Sequence, residues 1–369
     1  MGKALVLGAG RMGSVIAYAM DKLGHDVTTV DKLAGIPDGI KKIGLENTYK
    51  SCANLKADIN GISSGMDVVI SALPYHQNED IAKSCIDSQI PYCDLGGRLD
   101  VSKNINDYAD ESDFPWVFTD LGLAPGLVNI LAEWGYHELG GADSIKMMVG
   151  GLPALVHVNP LRYSVTWSID GLINEYRDDC EILQDGKIKV VKGMTGLEPI
   201  RTRAHEPRNL PAAWLHYPPR SLEAFYTSGG AAHTIRTMHE RGVSNCAYKT
   251  LRYPGHRDIV QFLIRDCELS DDCLTEIFSK GCCDLGKDIV IVICSVSKGD
   301  LEWKKEFVIK SHEFSAMQKA TAFSLAAVAS TVANGLSNPT RFVSGSHMMY
   351  KDVDFSQFND NMNKLGVTI

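Results

Sequence analysis

Residues 3–14 read Lys3-Ala4-Leu5-Val6-Leu7-Gly8-Ala9-Gly10-Arg11-Met12-Gly13-Ser14. An apolar run meets a Gly-x-Gly-x-x-Gly turn, and a helical pattern follows through Leu23. A second strand-like run, Asp26 to Val30, ends in Asp31. A glycine turn alone says little, but strand, turn, helix, strand and acid in this order fit a dinucleotide-binding unit. Gly8 allows the tight turn, Gly10 lets a pyrophosphate approach the backbone, and Gly13 permits helix to pack on strand, with the helix N-terminus facing the phosphates. Met12 completes the turn, and Arg11 either touches the pyrophosphate or is solvated. Asp31 lies 18 residues beyond Gly13, where a carboxylate accepts both ribose hydroxyls. An acid there repels a 2'-phosphate, so NAD is expected over NADP, although the neighbouring Lys32 pulls the other way.

The alternation continues outward. Met66 to Leu73 is a near-continuous apolar strand, Asn78 to Ser88 suits a helix, and Pro91 to Asp94 is strand-like. Ser102 to Ser112 suits a helix, and Trp116 to Asp120 is again strand-like. Such alternation predicts a Rossmann-type doubly wound parallel sheet. Ligands of open parallel sheets bind beyond the carboxyl ends of the strands. Ala72, Leu73 and Tyr75, the Asp94-Leu95-Gly96-Gly97 turn, and Asp120-Leu121-Gly122 are therefore expected at one cofactor-facing edge.

After residue 122 the pattern changes. Pro125 to Tyr136 reads as a helix, and strands are predicted over Ser144 to Gly150, Leu161 to Ser168, Ile182 to Val191 around Asp185-Gly186, Leu222 to Thr227 and Ala247 to Tyr253. A hairpin joins Asp288–Ser295 to Glu302–Ile309 around Lys298-Gly299-Asp300. This predicts a second, α+β domain on a mainly antiparallel sheet, with short helices at Ile259–Arg265 and Leu274–Ser279. Ser315 to Asn334, capped by Gly335, is apolar round much of its cylinder and is expected to pack back on the first domain. The expected organisation is residues 1–122, 123–314 and a returning segment 315–369.

Composition bounds the function. The 369 residues suffice for about two domains, and 44% hydrophobic with 22% charged is ordinary for a globular chain. A net charge of −8 argues against a nucleic-acid partner, and no apolar stretch reaches membrane-span length. The ten cysteines form no C-x-x-C pair, Cys282-Cys283 cannot easily bridge, and no metal-ligand spacing occurs. Reduced thiols, and an apolar run that begins at Lys3 without room for a signal peptide, lead to the expectation of a cytoplasmic protein.

In the second domain, Phe225-Tyr226-Thr227-Ser228-Gly229-Gly230 ends a strand in groups suited to capturing an anion on backbone N–H groups. Tyr248, Thr250 and Arg252 share one face of their strand. Arg252 is either a bidentate partner for a substrate carboxylate or a member of a structural ion pair. His76 and His256 each read equally as functional or structural.

Taken in order, LGAGRMG, ISALPYHQNE, DLGG, DLGLAPG, VGGLP, LEAFYTSGG and YKTLRYPGH resemble the saccharopine dehydrogenase family, most closely its short NAD-dependent lysine 6-dehydrogenases, from Met1 to roughly Tyr350. The Pro-rich stretch Pro207 to Pro219 does not fit the pattern. The resemblance implies an enzyme acting on C–N bonds of amino acids: oxidation of the lysine side-chain amine with release of ammonia, or cleavage or formation of a secondary amine. It also implies a small amino-acid substrate and a homodimer. On this reading Asp94 and Asp120 place negative charge beside the hydride-transfer site, or else cap turns. His76 is a further proton-transfer candidate and Tyr75 borders the nicotinamide. Arg252 holds the substrate carboxylate, helped by Thr227 and Ser228.

Overall fold

The computed structural model describes residues 1–154, 159–202, 221–282, 286–335 and 347–369. The Pro207 to Pro219 stretch and Cys283 lie outside the described residues. In chain order the first elements are β1 (Lys3–Leu7), α1 (Gly13–Lys22), β2 (Asp26–Asp31), α2 (Asp38–Lys42), β3 (Tyr49–Ser51), α3 (Leu55–Ser63), β4 (Val68–Ser71), α4 (Asn78–Asp87), β5 (Tyr92–Asp94), α5 (Leu99–Glu111), β6 (Val117–Phe118) and α6 (Leu127–Glu138). There follow β7 (Ser144–Pro153), α7 (Ile169–Arg177), β8 (Asp179–Gln184), β9 (Lys187–Lys192), β10 (Glu198–Arg201), β11 (Ser221–Tyr226), α8 (Thr234–Glu240), β12 (Asn245–Arg252), α9 (His256–Gln261) and α10 (Asp271–Gly281). The last are β13 (Asp288–Lys298), β14 (Leu301–Lys310), α11 (Ala316–Ala333) and α12 (Phe355–Lys364).

The chain divides into two compact units, Met1–Ile130 with Gln318–Ile369, and Leu131–Met317. In the first unit six parallel strands run in the order β3-β2-β1-β4-β5-β6. Every residue of β4 is buried, the signature of a strand covered by helices on both faces. Leu5, Leu7, Val69, Ile81, Tyr92, Ile105 and Val117 form its core. Helix α11 belongs to this unit from Gln318 onward. Ser330 Oγ meets His25 Nε2 at 2.7 Å, and Asn361 Nδ2 donates to the Ala327 carbonyl over 2.9 Å. Met348 N donates to the Val117 carbonyl over 3.1 Å, so the segment after α11 covers the β6 edge.

In the second unit the main sheet runs β10-β11-β12-β7-β13-β14, with β8 and β9 off this path. Among the described residues β12–β7 is the one parallel pair, and the rest are antiparallel. The β13–β14 hairpin matches its expected turn.

The strand expected over Leu161 to Ser168 is absent. Asn159 instead donates Nδ2 to the Tyr163 carbonyl over 2.6 Å and accepts from Tyr163 N over 3.3 Å, satisfying backbone groups that a ladder would use. Ser168 then caps α7 by accepting from Gly171 N. The alternation at Tyr163, Val165 and Trp167 is real but serves a helical core with Leu172, Ile173, Tyr176 and Phe278. Helix α7 itself was not predicted, although Ile169, Leu172, Ile173 and Tyr176 carry a helical spacing.

Candidate functional site

In the first unit the glycine turn is shaped by lack of space. Gly8 has φ +93°, and a Cβ there would stand 3.0 Å from the Ala72 carbonyl oxygen; a Cβ at Gly13 would stand 1.8 Å from the Gly8 carbonyl oxygen. At Gly10 a Cβ would meet nothing within 4 Å. The turn is thus closed beneath and open at Gly10. The first turn of α1 has no side-chain cap and no acidic residue; Ser14 N donates to the Gly10 carbonyl over 3.1 Å, and the partial positive charge of the helix start is left for an anion. Arg11 is exposed, and its carbonyl accepts from Gln318 Nε2.

Asp31 ends β2, and both carboxylate oxygens are anchored: Oδ2 accepts from Ala9 N over 2.7 Å and Oδ1 from Leu33 N over 3.2 Å. Loop and acid are therefore one rigid assembly, and these residues fit a dinucleotide. Met12, Ala72 and Leu73 are part-exposed around it.

The remaining edge residues gather as expected. A Cβ at Gly97 would stand 2.8 Å from Tyr75 Cβ, one at Gly96 2.1 Å from Asp120 Oδ1, and one at Gly122 3.4 Å from the Leu95 carbonyl oxygen. Tyr75 and His76 lie exposed on a short turn, with the Arg98 guanidinium 5.8 Å from the Tyr75 ring centre.

Asp94 and Asp120 are both buried. Asp94 Oδ1 accepts from Gly96 N over 2.8 Å and from Asp120 N over 3.1 Å, and Oδ2 from Tyr92 Oη over 3.1 Å. Its hydrogen bonds hold the turn. Asp120, at φ +62°, accepts from Ser102 Oγ over 2.9 Å, and its own carbonyl accepts from Tyr350 Oη over 2.8 Å. Burial pushes the Asp94 carboxyl up to about 6 against the backbone N–H groups of Asp120 and Gly96. Burial, followed by the Asp94 charge, pushes Asp120 up to about 7.

The second unit holds a buried polar network. Arg252 lies between the rings of Tyr163 and Tyr176, at 4.6 and 5.5 Å from their centres. Its Nε donates to Tyr176 Oη over 2.7 Å and its Nη1 to the Leu251 carbonyl over 3.0 Å. Burial opposes its charge, but Tyr176, Tyr163 and Glu175 more than offset that. Tyr176 Oη meets His256 Nε2 at 2.9 Å, while His256 Nδ1 lies 2.6 Å from the Leu161 carbonyl. A carbonyl only accepts, so Nδ1 carries the proton and Nε2 accepts from Tyr176. Burial, then the Arg252 charge, pushes His256 down to about 3, which keeps the ring neutral and structural.

Glu175 Oε1 accepts from Thr227 Oγ1 over 3.1 Å and from Thr250 Oγ1 over 2.5 Å. Ser228 N donates to the Glu175 carbonyl and Ser228 Oγ to the Asn174 carbonyl. The amides expected to capture an anion at Ser228 and Gly230 are thus already engaged, the latter by the Ser228 carbonyl. Arg252, Thr227 and Ser228 do come together, but Glu175 and Tyr176 organise them, and these two escaped the sequence reading along with their helix. Among the described residues no group of three or more His, Cys, Asp or Glu is arranged for a metal, and no helix is long and apolar enough to cross a membrane.

A doubly wound sheet with an open glycine turn and an anchored acid places the first unit among dinucleotide-binding α/β proteins. The saccharopine dehydrogenase NADP binding domain matches residues 4–113, and the saccharopine dehydrogenase C-terminal domain matches residues 122–367. The chain belongs to the saccharopine dehydrogenase family. It is 30% identical over 198 residues to the mitochondrial alpha-aminoadipic semialdehyde synthase of Mus musculus, covering 52% of this chain and 21% of the relative. It is 29% identical over 255 residues to the NADP(+), L-glutamate-forming saccharopine dehydrogenase of Saccharomyces cerevisiae, covering 66% of this chain and 51% of the relative. The chain spans about half or less of the length of these relatives. The solved apo saccharopine dehydrogenase (L-Glu forming) from Saccharomyces cerevisiae shares the fold, with a TM-score of 0.70 at 16% identity over 98% of this chain and 96% of that one.

Two expectations follow. Gly13→Ala forces a Cβ into backbone and is expected to cost more than about 2 kcal/mol, whereas Gly10→Ala should leave stability within about 0.5 kcal/mol of wild type; urea melts check both. The second concerns Asp120, whose folded pKa lies above its ordinary 3.8. The folded state then holds the extra proton, so this group's contribution to stability falls as pH rises from about 4 to 7. Asp120→Asn, which keeps an acceptor for Ser102, should gain stability relative to wild type across that window. Parallel stability curves for the two proteins would contradict this.

Proposed function

We propose that the protein is an NAD-linked amino-acid dehydrogenase that oxidises the side-chain amine of L-lysine to the 6-semialdehyde, which cyclises, with release of ammonia. The observation that carries the reading is the buried Arg252 guanidinium, whose Nη2 makes no hydrogen bond among the described residues, in a chain whose other unit carries the dinucleotide turn. A buried, charged, planar donor of this kind suits a carboxylate. Family membership supports chemistry at a C–N bond.

The residues around Gly10 and the start of α1 would hold the pyrophosphate, and Asp31 the ribose hydroxyls, which favours NAD. A bound nicotinamide dinucleotide supplies a hydride acceptor. Arg252 is the carboxylate-binding group of the second unit, and Asp120 is the proton-accepting group of the first; a carboxyl pushed up to about 7 exchanges protons near neutral pH. Asp94 holds the turn on which Asp120 sits and, through its charge, raises that pKa. The ammonium loses a proton, the amine carbon then loses a hydride, and the resulting iminium adds water and releases ammonium. Tyr75, exposed beside the Gly97 turn, and the adjacent exposed His76 would border that chemistry. We also propose a homodimer, which light scattering of the purified protein would test, and a cytosolic location, which cell fractionation would test.

A second reading, favoured by the name of the yeast relative, is an NADP-linked dehydrogenase acting on the secondary amine saccharopine. The two separate in one assay that follows NADH or NADPH formation together with ammonia, on L-lysine, L-ornithine and saccharopine. NADH and ammonia in equal amounts from L-lysine are expected. Glutamate without ammonia from saccharopine establishes the second reading, and silence with every pair removes the dehydrogenase reading. Arg252→Lys is expected to raise KM at least about tenfold, because an ammonium lacks the forked geometry; an unchanged KM would remove Arg252 from substrate binding.

A further inference from the structure

The Arg252–Glu175 pair is open. Arg252 Nη2 and Glu175 Oε2 stand 3.7 Å apart, with side chains only 4% and 12% exposed. A charge-assisted hydrogen bond between such groups closes to about 2.8 Å. Each partner is otherwise anchored: Arg252 through Nε and Nη1, Glu175 through the two threonine hydroxyls on Oε1. Among the described residues the two remaining atoms, one cationic and one anionic, have no other hydrogen-bond partner. At 3.7 Å the two groups form an ion pair without a direct hydrogen bond, so each atom keeps hydrogen-bonding capacity for a ligand.

We propose that Glu175 and Arg252 together form a clamp for the free α-amino-acid end of the substrate, with the α-carboxylate on Arg252 Nη2 and the α-ammonium on Glu175 Oε2. This rests on the dehydrogenase reading and adds the substrate class to it. An α-amino acid carries adjacent opposite charges that match an adjacent opposite pair. A polyamine would place a cation against Arg252, and a carboxylate lacking the α-amine would leave Glu175 uncompensated. The clamp also selects the reacting amine. An amine that remains an ammonium on Glu175 has no lone pair with which to expel a hydride from its carbon, so oxidation falls on the side-chain amine. Glu175 acts here as a specificity residue. Thr227 and Thr250 are positioning residues, because their hydroxyls occupy Oε1 and leave Oε2 as the acceptor.

The test compares L-lysine with 6-aminohexanoate, which has the same chain and carboxylate but no α-amine, in wild type and Glu175→Gln. For wild type, kcat/KM is expected to favour L-lysine by at least about tenfold, and Glu175→Gln should abolish the preference while retaining turnover of 6-aminohexanoate. An equal loss on both compounds would show that Glu175 only supports Arg252, and equal use of both by wild type would remove the clamp; either overturns the proposal. Should neither compound be turned over, the lysine-oxidation reading fails and thermal melting still decides on the clamp. Stabilisation of wild type by L-lysine, L-ornithine or saccharopine, absent with 6-aminohexanoate and lost in Glu175→Gln, supports it. Absence of that selectivity overturns it. A melting temperature for unliganded Glu175→Gln close to wild type verifies folding, and Glu175→Asp, which keeps the charge, should recover part of the preference.

Discussion

Everything in the first unit depends on the contact between Gly8 and Gly13. The carbonyl oxygen of one lies where the other's Cβ would be, so the helix can begin directly against the end of the first strand. That proximity points uncapped helix N–H groups beyond the carboxyl end of the sheet, and it lets Ala9 N reach the Asp31 carboxylate. The uncapped helix start and the anchored carboxylate thereby become parts of a single rigid turn. A parallel sheet then brings the ends of β4 and β5, and the turn after β6, to the same edge.

The second unit is organised around a buried charge. Arg252 is held by two tyrosine faces, a tyrosine hydroxyl and its neighbour's carbonyl, and the neutral His256 beyond Tyr176 ends the hydrogen-bond chain at the Leu161 carbonyl. A buried cation with so many direct contacts is fixed in position rather than free to seek a partner. That rigidity suits recognition of a small charged ligand better than it suits stability alone.

The legible part of this protein was local. Glycine spacing, strand-end acids and the β13–β14 hairpin are all set by residues near one another, and the structure reproduces them. The doubly wound class followed from alternation of strands and helices. What escaped depended on contacts far apart in sequence. Glu175 meets Thr227 and Thr250 across 52 and 75 positions, and nothing beside Glu175 announces this. Leu161 to Ser168 carried a strand's alternation, but Asn159 satisfies Tyr163's backbone and packing takes the aromatic faces. Asp94 and Asp120 were recognisable as a pair at one edge, with turn capping one of their two readings, whereas their burial depends on neighbours that only folding brings together.

Cofactor choice concentrates the account, because the family's nucleotide domain and the yeast relative are named for NADP, while this chain places an anchored carboxylate at the end of its second strand. The most direct test is a fluorescence titration of NADH and NADPH against the purified protein at one ionic strength. NADH is expected to bind at least about tenfold more tightly, with the preference lost in Asp31→Ser. Tighter binding of NADPH to the wild-type protein would contradict it.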